Sequence, residues 1–329
     1  MPLRAGKLSP ELLKRIIERV PALDPRVLVG PAIGQDATVI EMADRYLVAK
    51  TDPITFATDE MGWYVVQVNA NDLACLGAQP RWFMLTTLLP EGCDERLPEL
   101  LADQVLGACA ESGIAFVGGH TEVTLGLDRP LLCGTMLGEA ARDSLVRPGC
   151  ARDGDVLLLT KGVPLEGAAI IAREKESELL ARGVDRDIVQ RARMFLHQPG
   201  ISIVREAQMA VRAGVRALHD PTEGGLATAV WELCEANGLG AQVRREAIPL
   251  LAEARTLCEA YALDPLGTIA SGALLIAIEA AKADTLRQAI QSVGIDCAVI
   301  GMLVDSKKGV RLDDEPMPRF DADEITKLY

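Results

Sequence analysis

The chain has 329 residues, of which 49% are hydrophobic and only 4% aromatic, and its formal net charge is −13. This length predicts two domains, and the hydrophobic content is enough for two cores packed mainly by Ala, Val, Leu and Ile. The acidic balance argues against nucleic acid or an anionic membrane as the general partner, since both attract basic surfaces.

The eight cysteines are spread through the chain without a C-x-x-C pair, which predicts neither a zinc site nor a disulfide framework. The first residues contain no apolar segment of signal-peptide length, and no apolar run approaches ~20 residues. We therefore expect the protein in the reducing cytoplasm.

The predicted elements alternate between helices and strands. In the first half we expect helices near 8–20, 61–76 and 95–112, and strands near 36–42, 45–52, 81–89, 114–119 and 129–138. In the second half we expect helices near 165–173, 185–195, 201–213, 224–236 and 282–292, and strands near 156–160, 215–219, 271–279 and 297–304. This mixture predicts an α/β (α+β) protein.

A polar, turn-rich stretch near 147–155 predicts the domain boundary, with one domain at 1–149 and the other at 150–329. The acidic tail, 313–329, is expected to pack weakly against the rest of the chain.

Acidic side chains stand where several predicted elements meet turns. Asp36 follows Gly34, and Asp52 precedes Pro53. Magnesium takes oxygen ligands and commonly bridges one or two carboxylates to substrate phosphates, so acids from separate loops suit it. Each of these two aspartates is equally explained as an ordinary turn residue.

Asp72 is harder to explain as a turn residue. It falls in one apolar stripe of the second helix, with Met61, Val65, Val68 and Leu76. An acid in such a stripe is either buried with partners or faces a site, because Asp is almost never fully buried unpaired. Asn69 lies on the same side of the helix and can share a ligand with it.

His120 and Glu122 follow two glycines at the end of a predicted strand. Positions i and i+2 of an extended chain face the same way, so the two side chains are expected to be neighbours. A zinc site is disfavoured because the whole chain has only three histidines. A magnesium or hydrogen-bonding role and an ordinary turn both remain open.

The stretch "DPTEGG" opens an apolar helix. Asp220 at the N-cap, Pro221 at the first helical position and Glu223 at the third would form a capping box. That explanation leaves Gly224 and Gly225 without a purpose. Exposed backbone at a helix N-terminus is also a ready anion site, and the two interpretations stay open.

Several common motifs are absent from the sequence. There is no G-x-x-x-x-G-K-[ST] phosphate loop, no G-x-G-x-x-G opening a helix after a strand, and no G-x-S-x-G elbow.

Five segments, in order, resemble instead the aminoimidazole ribonucleotide (AIR) synthetase, or PurM, superfamily: "GQDATVI", "NDLACLGAQP", "VGGHTEV", "DPTEGGLATAVWEL" and "DPLGTIASGALLIAI". This superfamily also contains selenophosphate synthetase, thiamine-monophosphate kinase and HypE, and the segments resemble HypE most.

The resemblance implies a two-domain PurM-like fold. The N-terminal domain would form a dimeric, β-barrel-like core in a homodimer, and the C-terminal domain an α/β sandwich. ATP and Mg²⁺ would be bound, and ATP would phosphorylate an oxygen of an amide or related group. Phosphoryl transfer depends mostly on positioning and on charge neutralisation by metal.

The resemblance also assigns roles to residues of this chain. Magnesium and the phosphates would be served by Asp36, Asp52, Asp72 and Glu122, with Asn69 and Asn71 orienting them. Backbone approach to the nucleotide would occur at Gly118, Gly119, Gly224 and Gly225. The catalytic residues would be Asp72, His120 and Asp220.

The chain also departs from the HypE pattern. HypE proteins end in Pro-Arg-x-Cys, whose cysteine receives a carbamoyl group, whereas here Phe320 follows Pro318 and Arg319 and no cysteine lies beyond Cys297. HypE chemistry on its own tail is therefore not expected. Glu223 stands where Arg is usual, His120 replaces a frequent acid, and "GKLSPELLKRII" replaces a glycine-rich segment.

The resemblance predicts an ATP- and Mg²⁺-dependent, HypE-like enzyme that activates an amide or carbonyl oxygen of an unknown acceptor by phosphorylation. Two alternatives remain open: a small-metabolite kinase resembling thiamine-monophosphate kinase, and a non-catalytic ATP-binding assembly protein. The expected partners are a second copy of the chain, ATP and a protein of a maturation pathway, with no nucleic acid and no membrane.

Overall fold

The computed structural model describes residues 10–21, 24–32 and 37–329. The chain forms two compact units. The N-terminal unit holds Pro25–Val29 and residues 37–145, and the C-terminal unit holds Val146–Tyr329 together with the described residues of 10–24 and 30–32.

The first described element is helix α1 (Pro10–Ile17). The elements of the N-terminal unit are β1 (Val27–Val29), β2 (Thr38–Glu41), β3 (Arg45–Ile54), α2 (Met61–Cys75), β4 (Gln79–Pro90), α3 (Arg96–Ser112), β5 (Ala115–Thr124) and β6 (Leu131–Ala141). The strands form one sheet in the order β1-β2-β3-β6-β4-β5. Strands β4 and β5 are parallel, the other neighbours are antiparallel, and β5 lies at the edge.

Helix α2 is the centre of this unit. It packs against α3 and against β3, β4 and β6. All of its residues except Trp63 are buried, so the single apolar stripe predicted from the sequence is too narrow. Gly62 allows the close approach of α3, because a Cβ there would lie 2.6 Å from Cβ of Gln104. The helix ends near Gly77, whose positive φ of 78° matches the predicted stop.

The C-terminal unit contains more elements. They are β7 (Val156–Thr160), α4 (Leu165–Glu174), α5 (Glu176–Ala181), α6 (Arg186–Arg193), α7 (Val204–Arg212), β8 (Ala217–His219), α8 (Gly225–Asn237), β9 (Leu239–Val243), α9 (Ala252–Ala260), β10 (Leu275–Ile278), α10 (Ala280–Ser292), β11 (Cys297–Asp305), β12 (Val310–Leu312) and β13 (Glu315–Pro316). A 3₁₀ turn, Glu324–Leu328, follows. The sheet order is β13-β12-β9-β11-β7-β10-β8.

This second sheet is covered on both faces. In β7, Leu157 and Leu159 join the core that contains α8, whereas Leu158 is equally buried on the opposite face. Helix α10 packs against β7 and β11. A strand buried on both faces reads as a continuous apolar run, as "VLLLT" does. The mixed α/β fold with two sheets is confirmed.

Several elements were not predicted: β1, β9, β12, β13, α5 and α9. The expectation of a weakly packed tail is wrong, because Met317, Asp323 and Ile325 are at most 3% exposed. Among the described residues, no helix combines the length and the apolar character that a membrane crossing requires.

Candidate functional site

Two predicted aspartates meet around a lysine in the N-terminal unit. Lys50 Nζ lies 2.9 Å from Asp72 Oδ2 and 3.8 Å from Asp52 Oδ2. The Asp72 side chain is only 4% exposed, whereas that of Asp52 is 36% exposed. The carboxylate of Asp72 is therefore buried, whereas that of Asp52 is open to solvent. Asp36 lies outside the described residues.

Lys50 was not predicted from the sequence. The signal was present, because Lys50 and Asp52 are two residues apart in β3 and so share a face. The turn interpretation of Asp52 is wrong, since β3 continues through Pro53 to Ile54. Because an aspartate is almost never fully buried without a partner, a buried Asp72 also indicates a cationic partner from another element.

Asn69 connects helix α2 to the strand that carries Asp52. Its Nδ2 donates to the carbonyl oxygen of Asp52 at 3.2 Å and to that of Val65 at 2.8 Å. Its Oδ1 accepts no hydrogen bond from the described residues. Gly134 of β6 leaves room for the amide, since a Cβ there would lie 2.5 Å from Nδ2. Asn69 thus positions Asp52 through the backbone, and Asn71 is fully buried in the same helix.

The donor set of the carboxylate pair fits magnesium. One or two carboxylates with remaining water positions are the usual protein contribution to Mg²⁺, and the carboxylates of Asp52 and Asp72 are close enough to contact the same Lys50 ammonium group. These two residues are the described carboxylates that would hold the metal.

Glu122 is not brought to this pair within the chain. The row of paired residues runs from Asp52 across β6 and β4 to Gly119 of β5. Three strand intervals place β5 about 14 Å from β3 across the sheet. Within the described residues, no group of three or more His, Cys, Asp or Glu side chains is arranged to hold a metal.

Strand β5 carries a second group of predicted residues. His120 Nε2 and Glu122 Oε2 are 3.0 Å apart, and both side chains are at least half exposed. The strand continues to Thr124, so these residues lie within it and not at a turn. Gly119 has φ of 158°, and a Cβ there would lie 2.0 Å from the Leu85 carbonyl oxygen, so glycine is required for the β4–β5 pairing.

A cavity of about 310 Å³ opens between α3 and strands β4 and β5. Its lining is mainly apolar, from Leu101, Val105 and Phe116 among others, and includes Gly118, Gly119 and His120. At Gly118 an added Cβ would meet no atom within 4 Å, so this stretch of backbone faces open space. A ligand group can therefore approach the main chain there.

The remaining predicted residues lie in the C-terminal unit. Asp220 follows β8 and is 1% exposed. The predicted capping box is wrong, because α8 begins at Gly225 and its N-cap is Gly224, which receives no side-chain cap from within the helix.

The glycine pair has a conformational explanation. Gly224 has φ of 82°, and Gly225 has φ of 62° with a prospective Cβ only 2.5 Å from the Leu266 carbonyl oxygen. Both positions disfavour any side chain. The Gly224 N–H donates to Asp323 Oδ2 at 2.7 Å, so a carboxylate of the same chain lies where an anion was expected.

Two buried acids near this turn were not predicted. Burial raises the pKa of Glu166 to about 7, and the neighbouring Asp323 and Asp220 charges add to the effect. Burial also raises the pKa of Asp323 to about 6, although the N–H groups of Ile325 and Gly224 favour its ionised form. Glu166 Oε2 has no hydrogen-bond partner among the described residues.

Comparison with known proteins connects these features to a family. The N-terminal domain of AIR synthase related proteins matches residues 34–140, and the C-terminal domain matches residues 152–314. The carbamoyl dehydratase HypE of Cupriavidus necator is 30% identical over 279 residues, covering 83% of this chain and 75% of HypE.

Solved structures agree on the fold. A ThiL protein complexed with AMPPCP and TMP superposes with a TM-score of 0.74 at 20% identity, covering 95% of this chain and 94% of that one. HypE in complex with ATP gives 0.67 at 24% identity, covering 89% and 82%. A chain of a HypE–HypF complex gives 0.71 at 20% identity, covering 88% of this chain and 93% of that one. The chain belongs to the family of AIR synthase related proteins and is HypE-like in sequence.

Proposed function

We propose that this protein binds ATP with Mg²⁺ and activates an amide or carbonyl oxygen by phosphorylation, as a HypE-like enzyme with its own acceptor. The observation that carries the proposal is the pair of carboxylates of Asp52 and Asp72, which both contact the Lys50 ammonium. Its support is the similarity to carbamoyl dehydratase HypE and the ATP complex of a HypE structure. Bound ATP and Mg²⁺ would supply a transferable phosphoryl group and the neutralisation of its charge.

The chain's own residues have distinct tasks in this proposal. Asp72 and Asp52 would hold the metal, with Asp36 as a further predicted ligand. Asn69 fixes the Asp52 backbone, and the buried anchoring of Asp72 keeps the pair in one geometry. His120 and Asp220 remain predicted catalytic residues, with Asp220 bordering the substrate cleft, and Glu122 remains the predicted metal ligand on β5.

Calorimetric titration with ATP, with and without Mg²⁺, tests the proposal. We expect Mg²⁺-dependent binding to wild type and at least a tenfold weaker affinity for Asp72→Asn, since a ligand carboxylate is lost. The exposed Asp103→Asn on α3 serves as the matched control and should bind as wild type does.

Two outcomes would contradict the proposal. Absence of binding at millimolar ATP would show that the protein does not bind this nucleotide. Equal ATP affinity of Asp72→Asn and wild type would show that Asp72 is not part of the site. Turnover then separates the enzyme from an assembly protein. Asp72→Asn should abolish ADP release with an amide or carbamoyl acceptor, whereas an assembly protein would keep its maturation partner after the same substitution.

We also propose that β5 pairs with β5 of a second copy. It is the edge of the described sheet, and apolar side chains are exposed on and beside it, with Val123 60% and Leu125 78% exposed. Exposed apolar edges are normally covered, and an identical antiparallel strand satisfies the two-fold symmetry of a homodimer.

Light scattering of the purified protein tests the pairing. We expect a dimer for wild type and a monomer for Val123→Lys, because a charge would be buried in the joined sheet. Met42→Lys, at a residue 44% exposed away from β5, should stay dimeric. A monomeric wild type, or a dimeric Val123→Lys, would refute this interface.

The eight cysteines are all free thiols, and five of them are buried. Unpaired thiols suit a reducing compartment, and we therefore place the protein in the cytoplasm. Fractionation of the native host would test that placement.

A further inference from the structure

The C-terminal segment 317–328, here called the strap, is an integral part of the C-terminal unit. The Trp231 indole N–H donates to the Met317 carbonyl oxygen at 3.3 Å, and the Arg319 guanidinium lies 3.7 Å from the centre of the same ring. Phe320 packs on Gly267, where a Cβ would be 2.5 Å from the aromatic ring. The strap thus begins by packing against α8.

The strap continues onto the loop that precedes β10. The Glu324 N–H donates to the Gly267 carbonyl oxygen at 3.1 Å, and its carboxylate accepts the Asp264 N–H at 2.9 Å. Ile325 is fully buried. This loop is "DPLGTIASG", and the turn "DPTEGG" leads into α8, so the strap contacts both sequence motifs of this unit.

Asp323 is the contact at the centre of the strap. Its Oδ2 accepts the Gly224 N–H at 2.7 Å, and its Oδ1 accepts the Ile325 N–H at 2.9 Å. Gly224 is 99 residues away in sequence and is the N-cap of α8. A helix start leaves N–H groups without partners in its own helix, and Asp323 satisfies one of them.

The surroundings of Asp323 are unfavourable for a carboxylate. It is 3% exposed, and the charges that act on it and its neighbours come from Glu223, Glu166 and Asp220. A buried acid beside other acids costs free energy unless its hydrogen bonds compensate. Its contacts therefore fix it in one geometry with the turn.

We propose that Asp323 is a positioning residue: the strap, through Asp323, holds the 220–225 turn and with it Asp220 in a single conformation. The structural part stands on the contacts above. Its consequence for turnover, the placement of Asp220 toward the acceptor, rests on the proposed function.

Hydrogen exchange of the nucleotide-free, full-length protein tests the structural part. We expect Asp323→Ala to accelerate exchange of the Gly224 amide at least tenfold, and Asp323→Asn to give a smaller increase because one oxygen acceptor remains. Asp321→Ala, at an exposed neighbour, should leave the turn unchanged.

Unchanged exchange across 220–226 in Asp323→Ala, with accelerated exchange in the strap, would overturn the proposal. Exchange of β7 and α10 amides shows whether each variant is folded. If Asp323→Ala is unfolded, Asp323→Asn is used for the test instead.

Kinetics then distinguish positioning from bulk stability. In an active enzyme we expect kcat of Asp323→Asn to fall at least fivefold, with ATP affinity within twofold of wild type. An unchanged kcat would overturn the catalytic consequence. Failure of wild type to bind ATP would instead refute the proposed function and leave the exchange result standing.

Discussion

Replacing Lys50 by methionine is expected to destabilise the N-terminal unit by about 3 kcal/mol. The methionine retains the length of the side chain but removes the charge 2.9 Å from Asp72 Oδ2. Asp72 is only 4% exposed, so its carboxylate would remain in the interior without this cation. Denaturant-dependent hydrogen exchange of α2 amides measures the effect in this unit alone.

The comparison variants separate the ion pair from the loss of a lysine. Lys307→Met, at an exposed residue of the other unit, should change stability by less than about 0.5 kcal/mol. Lys50→Arg retains the charge and should cost less than Lys50→Met.

A double-mutant cycle identifies the partner of Lys50. Combining Lys50→Met with Asp72→Asn should recover at least about 1 kcal/mol relative to the sum of the single effects, because no buried charge is left alone. Additive effects would show that Lys50 does not stabilise Asp72. The magnesium site proposed at Asp52 and Asp72 would then lose its structural support.

The overall fold was predictable because its signals are local. Apolar periodicity located α2, α3, α8 and α10 to within a few residues, and continuous apolar runs located β7 and β11. Short or polar elements such as α5 and β13 were missed, since six or fewer residues give too little periodicity.

The candidate site was predictable only in part. Single acids at element ends suggested Asp52 and Asp72, but the Lys50 contact joins a strand to a helix and no local pattern specifies it. The strap was mispredicted for the same reason. Its acidic composition favours solvent, yet Asp323 finds its partner 99 residues away, at an N–H that only the folded unit presents.

Replacing Glu166 by glutamine is expected to stabilise the C-terminal unit at pH 8 by about 3 kcal/mol and to leave it nearly unchanged at pH 4. Burial raises the pKa of Glu166 from 4.5 to about 7, so the folded protein holds this proton more tightly than the unfolded chain does. Hydrogen exchange of β7 amides as a function of pH measures the difference.

The direction of the pH dependence follows from this proton. Below about pH 4.5 Glu166 is neutral in both states and costs nothing. As pH rises towards 7 the unfolded chain loses the proton first, so wild-type stability falls, and above pH 7 the loss is complete. Asp323 contributes in the same direction at lower pH, because burial raises its pKa from 3.8 to about 6.

The two acids can therefore be separated by where stability is lost. Glu166→Gln should abolish the decline between about pH 6 and 7 and make the decline below pH 6 shallower, leaving there the part that belongs to Asp323. The exposed Glu259→Gln on α9 should reproduce the wild-type profile. If Glu166→Gln instead lowers stability at pH 8, then the hydrogen bonds from Ser271 to ionised Glu166 outweigh the cost of its burial. In that case the charges of Glu166, Asp220 and Asp323 beside the α8 turn would be compensated by their hydrogen bonds. The strap would then not have to overcome charge repulsion in order to pack.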